Sequence, residues 1–425
     1  MIAWLLISFF VLLFLGVPIA MSLGLSAIGG ILFLSGGSTV TIAQRMFEGM
    51  NSFALLAIPL YTFAGFTMSK GGISKRLMDF CYSIVGHIYG GLAHVNVLSS
   101  MIFAGISGSA VADTAGVSGM FMPEMVRKGY SKNFTVAVTA ISSTIGIIIP
   151  PSIPMVVIAG ICGISTGKLF LGGIIPGVLC GLAQMIVSYF MAKKEGVPKE
   201  PGHFTIGPVL HGLWESWPAL LMPIIIVGTI TMGIVSPTEA GVIAVVYGLF
   251  AGGIIYRELK WEDIKFAFAE TVRTSGRIFI VIGAAKLYTV MLTTAGFDKW
   301  VAKTMLGFST NPTVILIMIL LIFFIVTMFM ESIATLTLFM PILYPIALGV
   351  GIDPIVLSVL ITVVIGVGLV TPPVGMCIYV ACDLMDVTVG EVFPTLVPFI
   401  AATFVCIALM VAFPQLILLP TYLMA

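Results

Sequence analysis

The chain has 425 residues, of which 59% are hydrophobic and only 9% charged, with a formal net charge of +1. Soluble domains carry about 25% charged residues, so this composition excludes a soluble globular protein and indicates an integral membrane protein. A charge so close to zero also excludes a nucleic-acid-binding protein, whose electrostatic footprint is basic.

Apolar runs lie near 2–34, 53–69, 88–105, 134–163, 169–192, 217–256, 274–296, 312–330, 355–385 and 392–420. They are long and lack strict alternation, which predicts membrane helices of about 20 residues per crossing rather than a β-barrel. The fold class is therefore an all-α polytopic membrane protein. The first run resembles a signal peptide, but it lacks a positively charged n-region, the first basic residue of the sequence being Arg45, so it is expected to persist as a helix. Pro18 makes it either one kinked helix or two short ones. Two segments, 72–90 and 296–309, mix charges with Leu, Met, Phe and Trp and are predicted to lie flat at the headgroup level. The sequence SPTE divides the 217–256 run into two helices.

Polar connections are short. The clearest are 193–203, which joins two halves of similar layout, and 257–277, with Arg257, Lys260, Lys265, Arg273 and Arg277. A P-loop pattern is missing, which argues against an ATP-driven pump. Cys81, Cys162, Cys180, Cys377, Cys382 and Cys406 are scattered through apolar surroundings and read as buried small hydrophobes. His87 and His94 have no carboxylate or thiol to complete a metal site. His203 and His211 flank the central connection and read as exposed. Trp214, Trp217, Trp261 and Trp300 suit interface anchoring.

The segment 129–152 aligns without gaps to 351–374, at a constant offset of 222 residues. Gly129 falls on Gly351, Gly146 on Gly368, and Pro150–Pro151 on Pro372–Pro373. FMP at 121–123 recurs at 339–341, and LYT at 60–62 recurs at 287–289. These matches, in conserved order, indicate a duplicated unit. Arg127, Lys128 and Lys132 lie before the first Pro–Pro pair, whereas the equivalent connection at 349–354 has no basic residue. Positive charge marks the cytoplasmic side, so the two copies are predicted to face opposite ways.

Each Pro–Pro pair breaks a helix. Proline has no N–H and clashes with the preceding turn. Pro150 and Pro151 are expected to strip the carbonyls of Gly146 and Ile147 of helical partners, and Pro372 and Pro373 those of Gly368 and Leu369. Bare carbonyls in lipid cost several kcal/mol, so such breaks persist only where protein or a polar cavity covers them. Unwound carbonyls are ligands for Na⁺, and half-helix N-termini favour anions.

Chemistry gathers before each break. The segment 103–116, FAGISGSAVADTAG, predicts a re-entrant hairpin with a Ser/Gly tip, and 328–341, MFMESIATLTLFMP, predicts a second. Ser107, Ser109, Ser332 and Thr371 are oxygen donors suited to a hard cation or a polar substrate. Ser142, Ser143 and Thr144 precede the first break, and Thr362 the second. Asp113 and Glu331 are intramembrane carboxylates, a costly and usually functional class. Either is expected to hold Na⁺, carry a proton, or pair with Lys286. Lys286 is equally explained by snorkelling. Asp383 and Asp386 mark a helix end near water.

GISG at 105–108 matches the nucleophile pattern of a rhomboid-type protease, but the later His residues that would take the Ser107 proton lie only at 203 and 211. The chain is therefore expected not to be an enzyme. A standalone Na⁺- or H⁺-coupled carboxylate carrier with inverted repeats remains an alternative.

The motifs GISGSAVADTAGVSGMFMPEM, STIGIIIPPSIPM, MFMESIATLTLFMPIL and GLVTPPVGMC, with GVPIAMSLG near the start, resemble the large membrane subunit (M-type) of tripartite ATP-independent periplasmic (TRAP) transporters, over essentially the whole chain. That resemblance implies an inverted-repeat elevator fold of the ion-transporter superfamily, with two re-entrant hairpins and two broken helices. Repeat 1 is then 1–203, with scaffold helices 1–69, an arm helix 72–90, hairpin 1 at about 105–128 and a broken helix 134–163. Repeat 2 is 204–425, with scaffold helices 217–296, an arm helix 296–309, hairpin 2 at about 330–350, a broken helix 355–385 and a final helix 392–420. It implies no cofactor, with Na⁺ as the coupling ion. One Na⁺ site would take Ser107, Gly108, Ser109, Gly146, Ile147 and Pro150. The other would take Glu331, Ser332, Gly366, Gly368, Thr371 and Met376. Substrate or coupling candidates are Ser109, Asp113, Pro151, Ser152, Pro372 and Pro373. The implied partners are a separate small four-helix membrane subunit (Q-type), a soluble periplasmic binding protein (P-type), lipid and an organic acid, with C4-dicarboxylates and sialic acid as family substrates. The overall wording is closer to sialic-acid-type members. The implied location is the bacterial inner membrane.

Overall fold

The computed structural model describes residues 1–35, 38–197 and 205–424. His203, the end of the 193–203 connection and the boundary between the halves at 203/204 lie outside the described residues. Among the described residues every regular element is a helix, and seven helical stretches are long and apolar enough to cross a membrane. The protein is a multi-pass membrane protein.

The first apolar run resolves into two helices, α1 (Ile2–Phe14) and α2 (Ile19–Gly29). The chain turns at Gly16, in the left-handed region at φ +81°, and Pro18 then caps α2. Only glycine reaches that φ cheaply, so Gly16 together with Pro18 settles the break. Helix α3 (Thr39–Met50) is started by Ser38, whose hydroxyl accepts from the Val40 N–H at 3.1 Å. Helix α4 (Ala57–Lys70) follows.

Helix α5 (Ile73–Val85) falls inside the amphipathic segment 72–90. Arg76 fixes it: Nη2 meets Glu258 at 2.7 Å, Nη1 donates to the Gly72 carbonyl at 2.8 Å, and the guanidinium lies 4.2 Å from the Tyr256 ring centroid. Helices α6 (Gly91–Ser107) and α7 (Ala110–Arg127) pack together across a two-residue turn, Gly108–Ser109. The run 88–105 is thus the first limb of a hairpin. At 17 residues α6 is about 25 Å long, short of a full crossing.

Helix α8 (Lys132–Ser143) passes into a 3₁₀ turn at Thr144–Ile147 and stops. Helix α9 (Ile153–Cys162) restarts ten residues after Ser143. The long helix α10 (Thr166–Glu195) completes this half. Helices α11 (Ile206–Thr231) and α12 (Pro237–Phe250) are separated by SPTE. That sequence is a capping box: the Glu239 N–H donates to Ser236 Oγ at 3.3 Å, and the Ser236 N–H to Glu239 Oε2 at 2.7 Å.

The same succession then recurs. After α13 (Trp261–Thr294) comes a short amphipathic helix, α14 (Phe297–Phe308). A contacting pair follows, α15 (Pro312–Thr327) and α16 (Ser332–Gly349). Helix α17 (Pro354–Gly368) ends at the second Pro–Pro pair, and α18 (Met376–Met385) restarts beyond it. Helix α19 (Val389–Ala412) and the short α20 (Gln415–Leu418) follow, and a 3₁₀ stretch continues at Leu419–Met424.

Packing sorts the helices. Helices α2, α3 and α4 lie on α13, and α4 also on α12. Helices α7, α8, α18 and α19 lie together, with α10 against α19 and α6. Helix α16 bridges the two sets, touching α13 on one side and α9 on the other. Every α17 residue from Ile355 to Gly368 is buried, as is every α8 residue from Phe134 to Ser143. A helix buried on every side is one that protein surrounds. The first segments of the two interrupted helices therefore lie at the centre of their set.

Candidate functional site

The centre of the candidate site is the tip of the α6–α7 pair. Gly108 takes the left-handed conformation at φ +65°, and its carbonyl accepts the Ile153 N–H at 3.1 Å. A Cβ on Gly108 would fall 2.6 Å from the Pro151 carbonyl oxygen. Glycine is thus required here for both conformation and space. Ser109 caps α7, its hydroxyl accepting from the Ala112 N–H at 3.4 Å. The Ser107 hydroxyl donates to Asp113 Oδ1, and the Ser109 N–H donates to Ser107 Oγ at 3.3 Å.

Asp113 is fully buried, and its second oxygen, Oδ2, has no hydrogen-bond partner among the described residues. A Cβ on Gly146 would collide with this oxygen and would lie 3.5 Å from the Ser109 carbonyl. The carboxylate therefore rests against the first break, on the backbone of Gly146. The Gly146 carbonyl lacks a helical partner, because the Ile149 N–H turns to Ile145 at 3.0 Å and Pro150 has none.

The other three stripped carbonyls differ from expectation. The Ser152 hydroxyl donates to the Ile147 carbonyl at 2.5 Å and also caps α9. In the second break the Thr371 N–H donates to Gly368 at 3.1 Å, and the Cys377 N–H to Leu369 at 2.9 Å. Local turns and one back-reaching hydroxyl satisfy what the prolines remove, as buried carbonyls require. Both Pro–Pro bonds, Pro150–Pro151 and Pro372–Pro373, are cis.

The second tip is built on the same plan with different chemistry. The Val374 N–H donates to the Met328 carbonyl at 3.0 Å, as Ile153 does to Gly108. A Cβ on Gly368 would collide with Thr327 at 2.6 Å, and one on Gly366 would press on Thr144 at 3.3 Å. The two breaks thus meet each other through Gly366 and Thr144. Glu331 caps α16: Oε2 accepts from the Ile333 and Ala334 N–H groups at 2.9 and 3.3 Å, and Oε1 from the Ser332 hydroxyl at 2.8 Å. Both oxygens are taken. Thr371 Oγ1 donates to the Val367 carbonyl at 2.7 Å, leaving its lone pairs for a cation. Met376 opens α18 after Gly375, at φ +48°.

The structure therefore gathers Ser107, Gly108, Ser109, Asp113, Gly146, Ile147, Pro150, Pro151 and Ser152 into one cluster. It brings Gly368, Pro372, Pro373 and Thr371 to the second tip through Thr327 and Met328. Lys286 is not part of either cluster, and neither Asp113 nor Glu331 pairs with it. Ser143 and Thr144 bond back to helix carbonyls at 2.8 and 2.7 Å, and Thr362 does so at 2.8 Å. Among the described residues the Ser107 hydroxyl meets a carboxylate, Asp113, and no imidazole. Asp386, exposed in the left-handed region, ends α18.

One buried polar group escaped the sequence reading. Asn96 donates to Thr139 at 2.7 Å and accepts from Ser142 at 3.1 Å, and Ser142 in turn accepts from Ser100 at 3.0 Å. Its signal was present: Asn96 and Ser100 are four apart in an apolar helix and share one face. The contact locks α6 to α8 and so holds the tip over the break.

Residues 6–416 match the family described as tripartite ATP-independent periplasmic transporter, DctM component. The chain belongs to this TRAP-transporter family. Among its relatives, an isethionate TRAP transporter permease protein, DctMQ of Oleidesulfovibrio alaskensis, is 37% identical over 92% of this chain and 62% of its own length. The chain thus spans less than two thirds of that relative. The sialic acid TRAP transporter large permease protein SiaM of Vibrio cholerae is 35% identical over 96% of this chain and 95% of its own. Among solved structures, MtrF of Neisseria gonorrhoeae, from a class of antimetabolite efflux pumps, aligns with a TM-score of 0.60 at 14% identity, over 95% of this chain and 94% of that one. That likeness is one of fold. This TRAP permease chain thus shares its helical architecture with a transporter of very different sequence.

Proposed function

We propose that this TRAP permease imports an organic acid by coupling it to inward Na⁺ flow, in the bacterial inner membrane. A soluble periplasmic binding protein delivers the substrate, and a small four-helix membrane subunit completes the scaffold. The substrates these relatives are named for, isethionate and sialic acid, are both organic anions. Sialic acid and C4-dicarboxylates are the first substrates to test.

The observation that carries the reading is Asp113 Oδ2, a fully buried carboxylate oxygen without a hydrogen-bond partner among the described residues, set against the backbone of Gly146, whose carbonyl has no helical N–H partner. A buried anion is stable only when paired. Na⁺ fits this donor set of carboxylate, hydroxyl and peptide oxygens, all of them hard ligands. Glu331 with Ser332 and the segment Gly366–Met376 would form the second site, and the substrate would lie between the tips. The two tips, α8–α9 and α17–α18 would move together as an elevator. The remaining helices would stay fixed, as two oppositely facing repeats.

The test is uptake into proteoliposomes. The chain, reconstituted with the small subunit and supplied with the binding protein outside, is expected to take up radiolabelled acid only when Na⁺ is present outside. Uptake by the chain alone would instead make it a standalone carrier, and uptake without Na⁺ would remove the coupling.

A further inference from the structure

We propose that Lys286, on α13, is an anion-attracting residue of the substrate passage, placed where the α13 set of helices meets the broken-helix set. The proposal rests on the reading above that the substrate is an organic anion.

Lys286 is the only charged residue between Arg277 and Thr294 on α13, a candidate membrane span. It lies nine residues after Arg277 and eight before Thr294, which is about 13 Å and 12 Å along the axis. That places it near the middle of a hydrocarbon layer about 30 Å thick. Its neighbours Ile282 to Ala285 and Leu287 to Thr289 are buried, while Lys286 is half-buried. It has no hydrogen bond and no ion pair among the described residues. An ionisable group at this depth marks a functional site by default.

The fold makes room for this side chain. A Cβ on Gly49 would fall 2.6 Å from Lys286 Cβ and 2.9 Å from its Cγ. A Cβ on Gly283 would lie 3.3 Å from the Met46 carbonyl. Helix α3 therefore packs closely against α13, and its last turn carries a glycine where the lysine stem passes. Beyond that turn, Ser52 reaches α9: a Cβ on Gly160 would lie 3.4 Å from Ser52 Oγ.

The polar edge of α3 strengthens the inference. No α3 residue is buried, and Arg45 and Glu48 pair with each other at 2.9 Å while both remain exposed. Their charges cancel locally, which leaves Lys286 with no compensating charge from this edge among the described residues. A cation with low-dielectric walls raises the local concentration of an anion. Lys286 therefore attracts the substrate's carboxylate or sulfonate as it passes between the two sets of helices, without touching either proposed Na⁺ cluster.

The experiment compares wild type with Lys286→Met and Lys286→Arg, each co-expressed with the small subunit and reconstituted with the binding protein. The probes are radiolabelled N-acetylneuraminate, isethionate and succinate. For whichever anion wild type transports, Lys286→Met is expected to raise KM by about tenfold or more. Lys286→Arg is expected to hold KM within about threefold, and half-saturating Na⁺ is expected to stay unchanged in both. An unchanged KM in Lys286→Met would overturn the proposal and make the residue a snorkelling lysine. Loss of the co-purifying small subunit in Lys286→Met, with Lys286→Arg retaining it, would also overturn it, because the lysine would then pair with a carboxylate of that subunit. If wild type itself shows no Na⁺-driven uptake of any probe, the underlying transport reading has failed. If wild type transports and Lys286→Met keeps its KM, only this inference has failed.

Discussion

Ile153 donates its backbone N–H to the carbonyl of Gly108 at 3.1 Å, tying the restarted helix α9 to the tip of the α6–α7 pair. Val374 and Met328 make the matching bond at 3.0 Å in the second half. A broken helix leaves the first N–H groups of its second segment without partners. Here the facing tip supplies an acceptor, so break and tip stabilise each other. Neither is expected to hold its shape alone.

The Gly108 conformation is the part of this link most sensitive to substitution. Gly108→Ala adds a Cβ at φ +65° and drives it against the Pro151 carbonyl. The left-handed conformation alone costs about 1–2 kcal/mol for a non-glycine residue, and the collision adds to it. Gly163→Ala, at φ +68° with open space around it, carries only the first cost. Thermal unfolding of the purified variants is expected to rank them wild type, Gly163→Ala, then Gly108→Ala. Equal stability of the two variants would mean that the tip does not press on the break.

Asp113 and Glu331 both lie at the start of a tip's second limb, Glu331 as the cap of α16 and Asp113 one turn inside α7, and they should respond differently. Glu331 has both oxygens engaged as a helix cap, whereas Asp113 has one free. Glu331→Gln keeps an acceptor for the Ile333 and Ala334 N–H groups, so its effect on thermal stability is expected to stay below about 1 kcal/mol. Asp113→Asn removes the negative charge from the first cluster and is expected to raise half-saturating Na⁺ in uptake by at least about tenfold. An unchanged Na⁺ titration in Asp113→Asn would take this residue out of the coupling site.

Much of this architecture is legible in the chain itself. The Pro–Pro pairs announce the breaks because proline lacks the donor a helix needs, and SPTE announces a helix start because serine and glutamate satisfy the first N–H groups reciprocally. What the sequence hides is where freed groups go. Nothing local says that Ser152 reaches back five residues to Ile147, or that Thr327 seats against Gly368. Both depend on contacts set by the tertiary arrangement. The difference between Asp113 and Glu331 is hidden for the same reason. A carboxylate near a hairpin tip reads alike in both copies until the neighbouring amides are placed.

Ser152 gives the next test. Its hydroxyl donates to the Ile147 carbonyl at 2.5 Å, and Oγ accepts the Met155 N–H at 3.3 Å. Ser152→Ala strips a buried carbonyl and a helix N-terminus together. Loss of a cap costs about 1 kcal/mol and an unsatisfied buried acceptor about 1–3 kcal/mol, so a loss of about 2–4 kcal/mol is expected. Ser152→Thr keeps the hydroxyl and should recover most of it. A loss under about 1 kcal/mol in Ser152→Ala would show that another group, or water, takes over the Ile147 carbonyl.

Arg76 and Glu258 test how the amphipathic helix α5 is held. Their ion pair is partly exposed, with side chains 27% and 47% accessible, and exposed pairs contribute at most about 1 kcal/mol. Glu258→Gln is therefore expected to change thermal stability by under about 1 kcal/mol. Arg76→Ala removes more than the pair. It also loses the bond to the Gly72 carbonyl and the stacking on Tyr256, the latter contributing about 0.5–1 kcal/mol. The arginine variant should be clearly the less stable of the two. If both fall equally, the charge pair alone anchors the helix, and the stacking on Tyr256 contributes nothing measurable.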